Sequence, residues 1–531
     1  MAEVYGVLNK AWKSTCKTVF GEELGELKDY KDWLCEYVHP TRIELSGSAE
    51  KVCLSIDDYC KGAKFAGLEK IDLSKRFEPL GINEVKDIDS IVEALQDRFS
   101  YTGNIILGNS RFVEGSSNIV DSSFILDSIM INDSKYLAYC DLVKMQEYSF
   151  GTYADAESQF AIKCREGHKN RRYFECHTNY LSTDCFYSAN LQNCTNCMFS
   201  FGAEAKSHLV GNLQLPEDKY LSLKSKIKSE IADILRKNKR IFSLLEVIEK
   251  SCDYAPEIKL KTGKGDEILD KGVIEAAFSK TTRLILGKEL KGIDAYSKLL
   301  QKHSPKSEVL AMPSPLTGER VYAAGYLSQV VGAYGIKSRL VGDDEIRKVG
   351  DFHIKAESIE KLSLDSDSLS KDLHPIAYLA LDGKTGKLLN MIDCAITQHS
   401  ESCYHGSPYV YSKKCGYSFW PRHSEYIFGS SAALNSSFCI NSHYSKFLTR
   451  TFEVDCCENS SDLYFSHNCE NVQNSLFCFN VKNLKNAIGN ASFQPDRYRA
   501  IKKSILEQVA DEIEKKKDFR WDIYNLACAK N

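Results

Sequence analysis

The chain has 531 residues, which is enough for roughly three to four domains. Its formal net charge of −3 lacks the basic excess of proteins that bind nucleic acid through phosphates, so we expect no nucleic-acid partner. No apolar run is long enough to span a membrane, and the N-terminal residues do not form a secretory signal. The sequence therefore predicts a cytoplasmic protein without membrane contact.

The first predicted element is a helical and mixed region, residues 1–103. Its motif Gly21-x-Glu23-Leu24 recurs in the second half of the chain as Gly287-x-Glu289-Leu290. We place a second mixed α/β domain at residues 252–396, which contains this recurrence.

The next element, residues 104–212, has bulky apolar residues at steps of twelve or thirteen: Phe112, Phe124, Tyr136, Tyr148, Phe160, Tyr173, Phe186 and Met198. Turn-forming pairs such as Asp121-Ser122 precede several of them, a pattern typical of strands joined by turns. We interpret the repeat as a parallel β-solenoid (β-helix), with an antiparallel meander as the alternative. Because a twelve-residue coil leaves little room for stacked aromatic rings, we expect coils of about 24 residues with two strand faces.

A second solenoid is predicted at residues 397–490, because the chain contains an internal duplication. Residues 147–227 align without gaps with residues 425–505, and 25 of the 81 positions are identical. The fold class we predict is therefore α+β, a tandem duplication. Each half consists of a helical or mixed segment, a parallel β-solenoid of about twelve-residue repeats and a capping helix.

The two capping helices are expected in residues 213–251 and residues 491–531. They begin near Pro216-Glu217 and Pro495-Asp496, where proline and acidic residues favour a helix N-terminus. Each helix has an apolar face at helical spacing, which we expect to cover the open end of its solenoid.

Thirteen of the 20 cysteines lie inside the two repeat regions, and several follow the twelve-residue period. Pairs twelve apart are Cys164 and Cys176, Cys185 and Cys197, Cys403 and Cys415, and Cys457 and Cys469. In a reducing compartment we expect them to pack as small apolar residues rather than form disulfides. The alternative is a zinc or iron–sulfur site, with candidate ligands Cys194-x-x-Cys197 and Cys456-Cys457 near His177 or His467. The plan of helices flanking a solenoid also resembles the scaffold proteins of iron–sulfur cluster assembly.

Two basic clusters are candidates for a polyanion partner, although a solvated face is the simpler interpretation. One is the run from Arg236 to Arg240, and the other comprises Arg165, Lys169, Arg171 and Arg172.

Residues 313–394 resemble the transglutaminase-like, papain-type family. The resemblance rests on these residues: Gly318-Glu319-Arg320, a helix through Ala324 and Val331, Gly335-Ile336 with Arg339, His374 before a strand at 376–381, and Asp393 after a strand at 388–392. Arg320 stands where the family has its nucleophilic cysteine, so the resemblance implies a domain without catalytic activity. Between the two strands, Asp382-Gly383 predicts a hairpin turn.

We assign no catalytic, cofactor-binding or metal-binding residue from the sequence. The expected function is a non-enzymatic scaffold or protein-binding pseudo-dimer, with a protein partner or self-association. The alternatives are a metal or iron–sulfur handling protein, and a degenerate transglutaminase-like or otherwise unrecognised enzyme that uses residues between the two halves.

Overall fold

A computed structural model describes residues 2–261, 269–327 and 335–528. Long parallel sheets of short, regularly spaced strands occur in both halves, which gives each half a solenoid-like form. Helices and short antiparallel hairpins surround these sheets. The α-helices are Ala2–Phe20, Lys31–Leu34, Ile88–Leu95, Glu217–Asn238, Leu244–Ser251, Lys271–Leu286, Ser297–Gln301, Asp343–Val349, Ala356–Glu360, Ser366–Leu373 and Pro495–Lys516.

The first stack, residues 106–214, contains a ten-stranded and a four-stranded sheet. The ten strands are Arg111–Glu114, Ser123–Leu126, Lys135–Ala138, Glu147–Phe150, Gln159–Ile162, Arg171–Phe174, Thr183–Phe186, Thr195–Met198, Ser207–Val210 and Leu213–Gln214. The four strands are Ile106–Leu107, Ser117–Val120, Ile129–Asn132 and Asp141–Lys144.

The second stack, residues 383–492, repeats this plan. Its strands are Gly383–Thr385, Leu389–Cys394, Ile396–Gln398, Glu401–Gly406, Tyr409–Val410, Glu425–Phe428, Ser437–His443, Thr449–Asp455, Ser461–Leu476, Phe479–Ile488 and Ala491–Ser492. Three two-stranded pairs lie outside the stacks: Arg42–Leu45 with Lys51–Leu54, Phe65–Gly67 with Tyr101–Gly103, and Val309–Pro313 with Arg320–Ala324.

Each coil has twelve residues and two strands, so the expected 24-residue coil was wrong. Lys135 pairs with Ser123 on one side and with Glu147 on the other, and Ile129 pairs in the same way with Ser117. The expectation assumed that the aromatic residues point inwards. The residues from Phe112 to Phe160 instead form an outer ladder, in which Phe112 is 43% exposed and its ring stacks 4.7 Å from the ring of Phe124, whereas Tyr173 lies inside the stack.

Every third residue of a coil has a left-handed backbone, which bends the chain four times in twelve residues. Phe112, Asn118, Asp121 and Phe124 have φ values of 56°, 59°, 47° and 57°, and Gly115 occupies the corner between the first two. Such corners cost free energy when the residue is not glycine. They also leave a narrow interior.

Serine hydroxyl groups connect one coil to the next inside this narrow interior. The Oγ of Ser122 donates to the Val120 carbonyl (2.7 Å) and accepts from the Ser134 amide (3.0 Å). Ser424 of the second stack makes the same two bonds, to Arg422 and from Ser436. Each buried hydroxyl therefore satisfies one carbonyl of its own coil and one amide of the next coil.

The two helices predicted after the stacks are confirmed, at Glu217–Asn238 and Pro495–Lys516. They lie against the outer face of the strands rather than over the open ends. In the first half Lys224 and Arg172 both pair with Asp184; in the second half their counterparts Lys502 and Arg450 both pair with Asp462. The last parallel strands instead pair with the short antiparallel strands Leu213–Gln214 and Ala491–Ser492.

The two halves exchange segments. The side chain of Asn190 in the first stack forms two bonds of 3.0 Å with the backbone of Ala380 from the second mixed segment. Its equivalent, Asn468 of the second stack, donates to Thr102 of the first mixed segment (3.1 Å). Part of each mixed segment therefore contacts the stack of the other half, whereas the helices Ala2–Phe20 and Lys271–Leu286 pack on the stack of their own half.

A disulfide between Cys60 and Cys528 joins the first mixed segment to the C-terminal tail. This bond was not expected from the sequence, because a reducing compartment was predicted, in which cysteines remain unpaired. The tail beside it contacts the second stack, where the Ile523 amide donates to Glu453 (2.9 Å). The equivalent Glu175 accepts from the Leu244 amide (3.2 Å), so both halves hold their tail in the same way.

Three local predictions around the second mixed segment were wrong. Arg320–Ala324 is a strand, not the start of a helix, and Val331 lies outside the described residues. Residues 376–381 form no strand, and only Leu379 makes a bridge, to Leu340. Gly383 does not end a hairpin turn but begins a strand that runs parallel to Ile396–Gln398.

We predict that Ser128→Ala lowers the free energy of unfolding by about 1–3 kcal/mol, because the Cys140 amide and the Leu126 carbonyl lose their buried partner. The measurement is chemical denaturation followed by circular dichroism. The outward Ser123→Ala is the control and should change stability by about 0.5 kcal/mol or less. Equal effects of the two substitutions would contradict the bridging role.

Candidate functional site

A groove of about 520 Å³ lies between the two stacks. One wall belongs to the first stack and contains two columns of residues, each with a spacing of twelve. One column runs from Leu142 to Gly202, and the other runs from Lys144 to Glu204. The opposite wall belongs to the second stack: Ile396, Gln398, Pro408, Val410, Trp420 and Arg422. At the offset of the duplication, Trp420 and Arg422 correspond to Leu142 and Lys144, so both walls are built from the same face of the repeat.

The second mixed segment closes the groove on a third side. Tyr326, Ile346 and Arg347 line it there. The backbone of the helix Asp343–Val349 approaches the first stack closely: a Cβ on Gly202, whose φ is +66°, would lie 1.8 Å from the Ile346 carbonyl oxygen. Only glycine fits at this position.

The groove carries charges of both signs beside aromatic rings. Glu166 accepts a hydrogen bond from the Tyr326 hydroxyl (3.0 Å), and burial raises the pKa of Glu166 to about 7. The guanidinium of Arg422 lies 5.4 Å from the Trp420 ring, and burial lowers the pKa of Arg422. His168 pairs with Glu157 at 3.2 Å. The lining therefore places apolar, cationic and anionic groups beside one another.

Beneath the groove, the buried carboxyl group of Asp155 lies inside the first stack. Ser158 donates to it at 3.0 Å, and the Tyr173 hydroxyl donates to its other oxygen. Burial raises the pKa of Asp155 to about 6. A Cβ on Gly167 would lie 2.7 Å from the carboxylate, so the glycine makes room for this group.

The structure brings together two of the metal candidates, Cys456 and His467, with Asp455, and their ligand atoms lie within 4.8 Å of one another. The hydrogen bonds of His467 oppose metal binding. Its Nε2 accepts from the Thr102 amide (2.9 Å), so its Nδ1 carries the proton and donates to Asp455 (2.8 Å). A metal on Nδ1 would require an imidazolate. The cluster therefore holds the exchanged Thr102 segment in place.

The other cysteine candidates lie inside the stacks. Cys194 and Cys197 are fully buried, and the thiol of Cys194 donates to the Gln192 carbonyl, as serine does elsewhere in the ladder. Cys457 makes the equivalent bond to Asp455. The thiol of Cys185 and burial raise the pKa of Cys197. These positions match the packing interpretation of the cysteines.

His177, the other histidine named beside these cysteines, is also buried, with an outward position in the first stack. The basic clusters are mostly paired or buried. Arg236 pairs with Glu22, Arg240 with Glu36, and Arg172 with Asp184. Arg165 is buried, whereas Lys169 and Arg171 are exposed.

The residues of the transglutaminase-like resemblance do not form one site. Arg320 pairs with Asp393 at 3.3 Å, whereas His374 pairs with Glu257 at 3.0 Å and stacks on Tyr254. No side chain in this set is a thiol or hydroxyl nucleophile.

Sequence reasoning missed the groove residues Glu166, Tyr326, Trp420 and Arg422. The available signal was the column of outward-facing residues that recurs every twelve residues, such as Leu142, Ala154 and Glu166. Pairing this column with Trp420 requires the tertiary arrangement of the two stacks, which periodicity does not contain.

Comparisons with family models, with curated proteins and with solved structures found no match. In the described ranges of the chain, no helix has both the length and the apolar character needed to cross a membrane.

We predict that Asp155→Asn stabilises the protein at pH 8 by roughly 2–3 kcal/mol and has little effect near pH 4. The folded-state pKa is raised above the unfolded value of about 3.9, so ionisation costs stability as pH rises through this window to about 6. Thermal or chemical unfolding of both proteins from pH 4 to 8 measures the difference. A difference that is independent of pH would contradict the assignment.

Proposed function

We propose that this protein is a non-enzymatic binding protein, a pseudo-dimer that holds an extended polypeptide segment of a protein partner in the groove between its stacks. The groove itself carries the proposal. Its walls repeat the same face of the coil along the stack axis, so a chain that lies along the groove meets similar surroundings at successive coils.

The lining favours a polypeptide over a nucleic acid. Six acidic residues outnumber the four cationic ones, a balance that repels phosphate groups: Asp155, Glu157, Glu166, Glu204, Asp343 and Asp382. The cationic residues are Lys144, Arg347, Lys384 and Arg422. A polypeptide supplies apolar, acidic and basic side chains together, which this mixture of charges and rings complements.

The lining also supports binding rather than covalent catalysis. Among the described residues that line the groove there is no serine or cysteine, the alcohol hydroxyls there belong to Thr178, Thr385 and Thr397, and His168 is engaged with Glu157. The aromatic residues Tyr180, Tyr326 and Trp420 instead offer rigid contact surfaces of the kind enriched at binding hot spots.

We predict that Trp420→Ala weakens peptide binding at least tenfold, because it removes the largest ring of the second wall. The probe is a library of short random peptides selected on the full chain, and the enriched peptides are measured by calorimetry. Phe447→Ala is the matched control, since Phe447 is an exposed ring of the same stack (49%) outside the groove.

Enriched peptides that bind the wild type and the Phe447 variant equally, but not the Trp420 variant, would support the proposal. Failure to enrich any peptide, or equal binding by all three proteins, would refute it.

A further inference from the structure

Arg165 is a buried cation that forms no ion pair within the described residues, and it is only 2% exposed. One guanidinium nitrogen, Nη1, reaches the Leu327 carbonyl at 3.5 Å, whereas Nε and Nη2 have no hydrogen-bond partner among the residues that the structure describes. The nearest aromatic faces are those of Tyr153 and Tyr37, at 4.8 and 5.7 Å. The charge of Glu166 acts on the guanidinium only through space, without an ion pair.

Two further polar groups beside Arg165 also lack partners. Tyr153, Arg165 and His177 occupy the same position in three successive coils and are joined by parallel bridges. Neighbouring coils are about 4.8 Å apart, so the three side chains lie side by side. The Tyr153 hydroxyl and the His177 Nε2 are buried and unpartnered as well.

This arrangement is costly for a protein on its own. A buried charge without a counter-ion costs several kcal/mol, and each buried unpaired donor adds to the cost. Lys163, two residues earlier, is a buried cation of the same stack that does have counter-ions. Its ammonium group contacts both Glu36 and Glu175. Arg165 contacts no such carboxylate, and a missing anion explains this difference.

We propose that Arg165, Tyr153 and His177 form a buried binding site for an oxyanion, the carboxylate or phosphate group of a small ligand. The two free nitrogens of Arg165, Nε and Nη2, are the pair that donates two parallel hydrogen bonds to such a group. The Tyr153 hydroxyl donates a third bond. Burial and the nearby charge of Arg165 lower the pKa of His177, so the ring is neutral and donates through Nε2–H.

The site lies behind the wall of the groove and does not depend on the groove's occupant. Glu166, the residue after Arg165, and Tyr326, the residue before Leu327, both line the groove. A small anion at Arg165 and a polypeptide in the groove are therefore separate ligands, and either can be absent without affecting the case for the other.

The second half provides a matched control. At the offset of the duplication His443 corresponds to Arg165; it is equally buried, and both of its ring nitrogens lack partners. Burial and the charge of His303 lower the pKa of His443 to about 4, and the carboxylates of Asp455, Asp58 and Asp522 lie near it. These surroundings repel an anion.

The test is thermal unfolding of the full chain at pH 7 and constant ionic strength, with sodium chloride replaced by sodium phosphate or sodium acetate. We expect one or both anions to raise the melting temperature of the wild type by about 2–5 °C, with saturation. A rise with phosphate alone identifies a phosphate group as the ligand chemistry, and a rise with acetate alone identifies a carboxylate.

Arg165→Met should melt at a higher temperature than the wild type in chloride, because an unpaired buried charge is removed, and should show no response to either anion. Arg165→Lys keeps the charge without the paired donors and should require at least tenfold more anion. His443→Phe should respond as the wild type does. A response retained in Arg165→Met, or the absence of any response in the wild type, would overturn the proposal.

Discussion

The bond from one coil to the next through a buried hydroxyl is the constraint on which the rest of the structure depends. Four left-handed corners in twelve residues leave a narrow interior, which aliphatic residues such as Ile125 share with serine and cysteine. Ser128 lies in this interior and satisfies two buried backbone groups. Its hydroxyl accepts a hydrogen bond from the Cys140 amide and donates one to the Leu126 carbonyl. Cysteine takes the same slot with a weaker donor, which explains why the thiols follow the period of the serines.

Because the interior is narrow, many aromatic side chains lie on the outside and determine what each stack contacts. The outer ladder from Phe112 to Phe160 illustrates this, with ring centroids 4.7 to 5.2 Å apart. The duplicated halves keep the contacts that hold their helices and tails, such as those of Asp184 and Asp462 or Glu175 and Glu453. They differ at outward positions that face the other half, where Arg165 corresponds to His443.

The duplication, the twelve-residue period and the helices that follow the stacks could be predicted from the sequence. Identical residues at a fixed offset, and proline with acidic residues at the start of a helix, are signals that the sequence itself contains. The coil length could not, because the spacing of Phe112 and Phe124 is the same whether their rings point inwards or outwards. The groove and the Arg165 site could not be predicted either. Trp420 is far along the chain from Tyr180, and nothing local to Arg165 shows that the surrounding carboxylates bind elsewhere.

The exchange of segments between the halves also has a consequence for synthesis on the ribosome. The contact between Asn190 and Ala380 spans 190 residues. At roughly 5–20 residues per second, the first stack waits about 10–40 s for the segment that covers it. During that time the surface around Asn190 is available to chaperones or to a second nascent chain, although the helix Ala2–Phe20 can already pack on other strands of the stack. The order of translation, and not only the final contacts, therefore bears on how much of this protein reaches its native state.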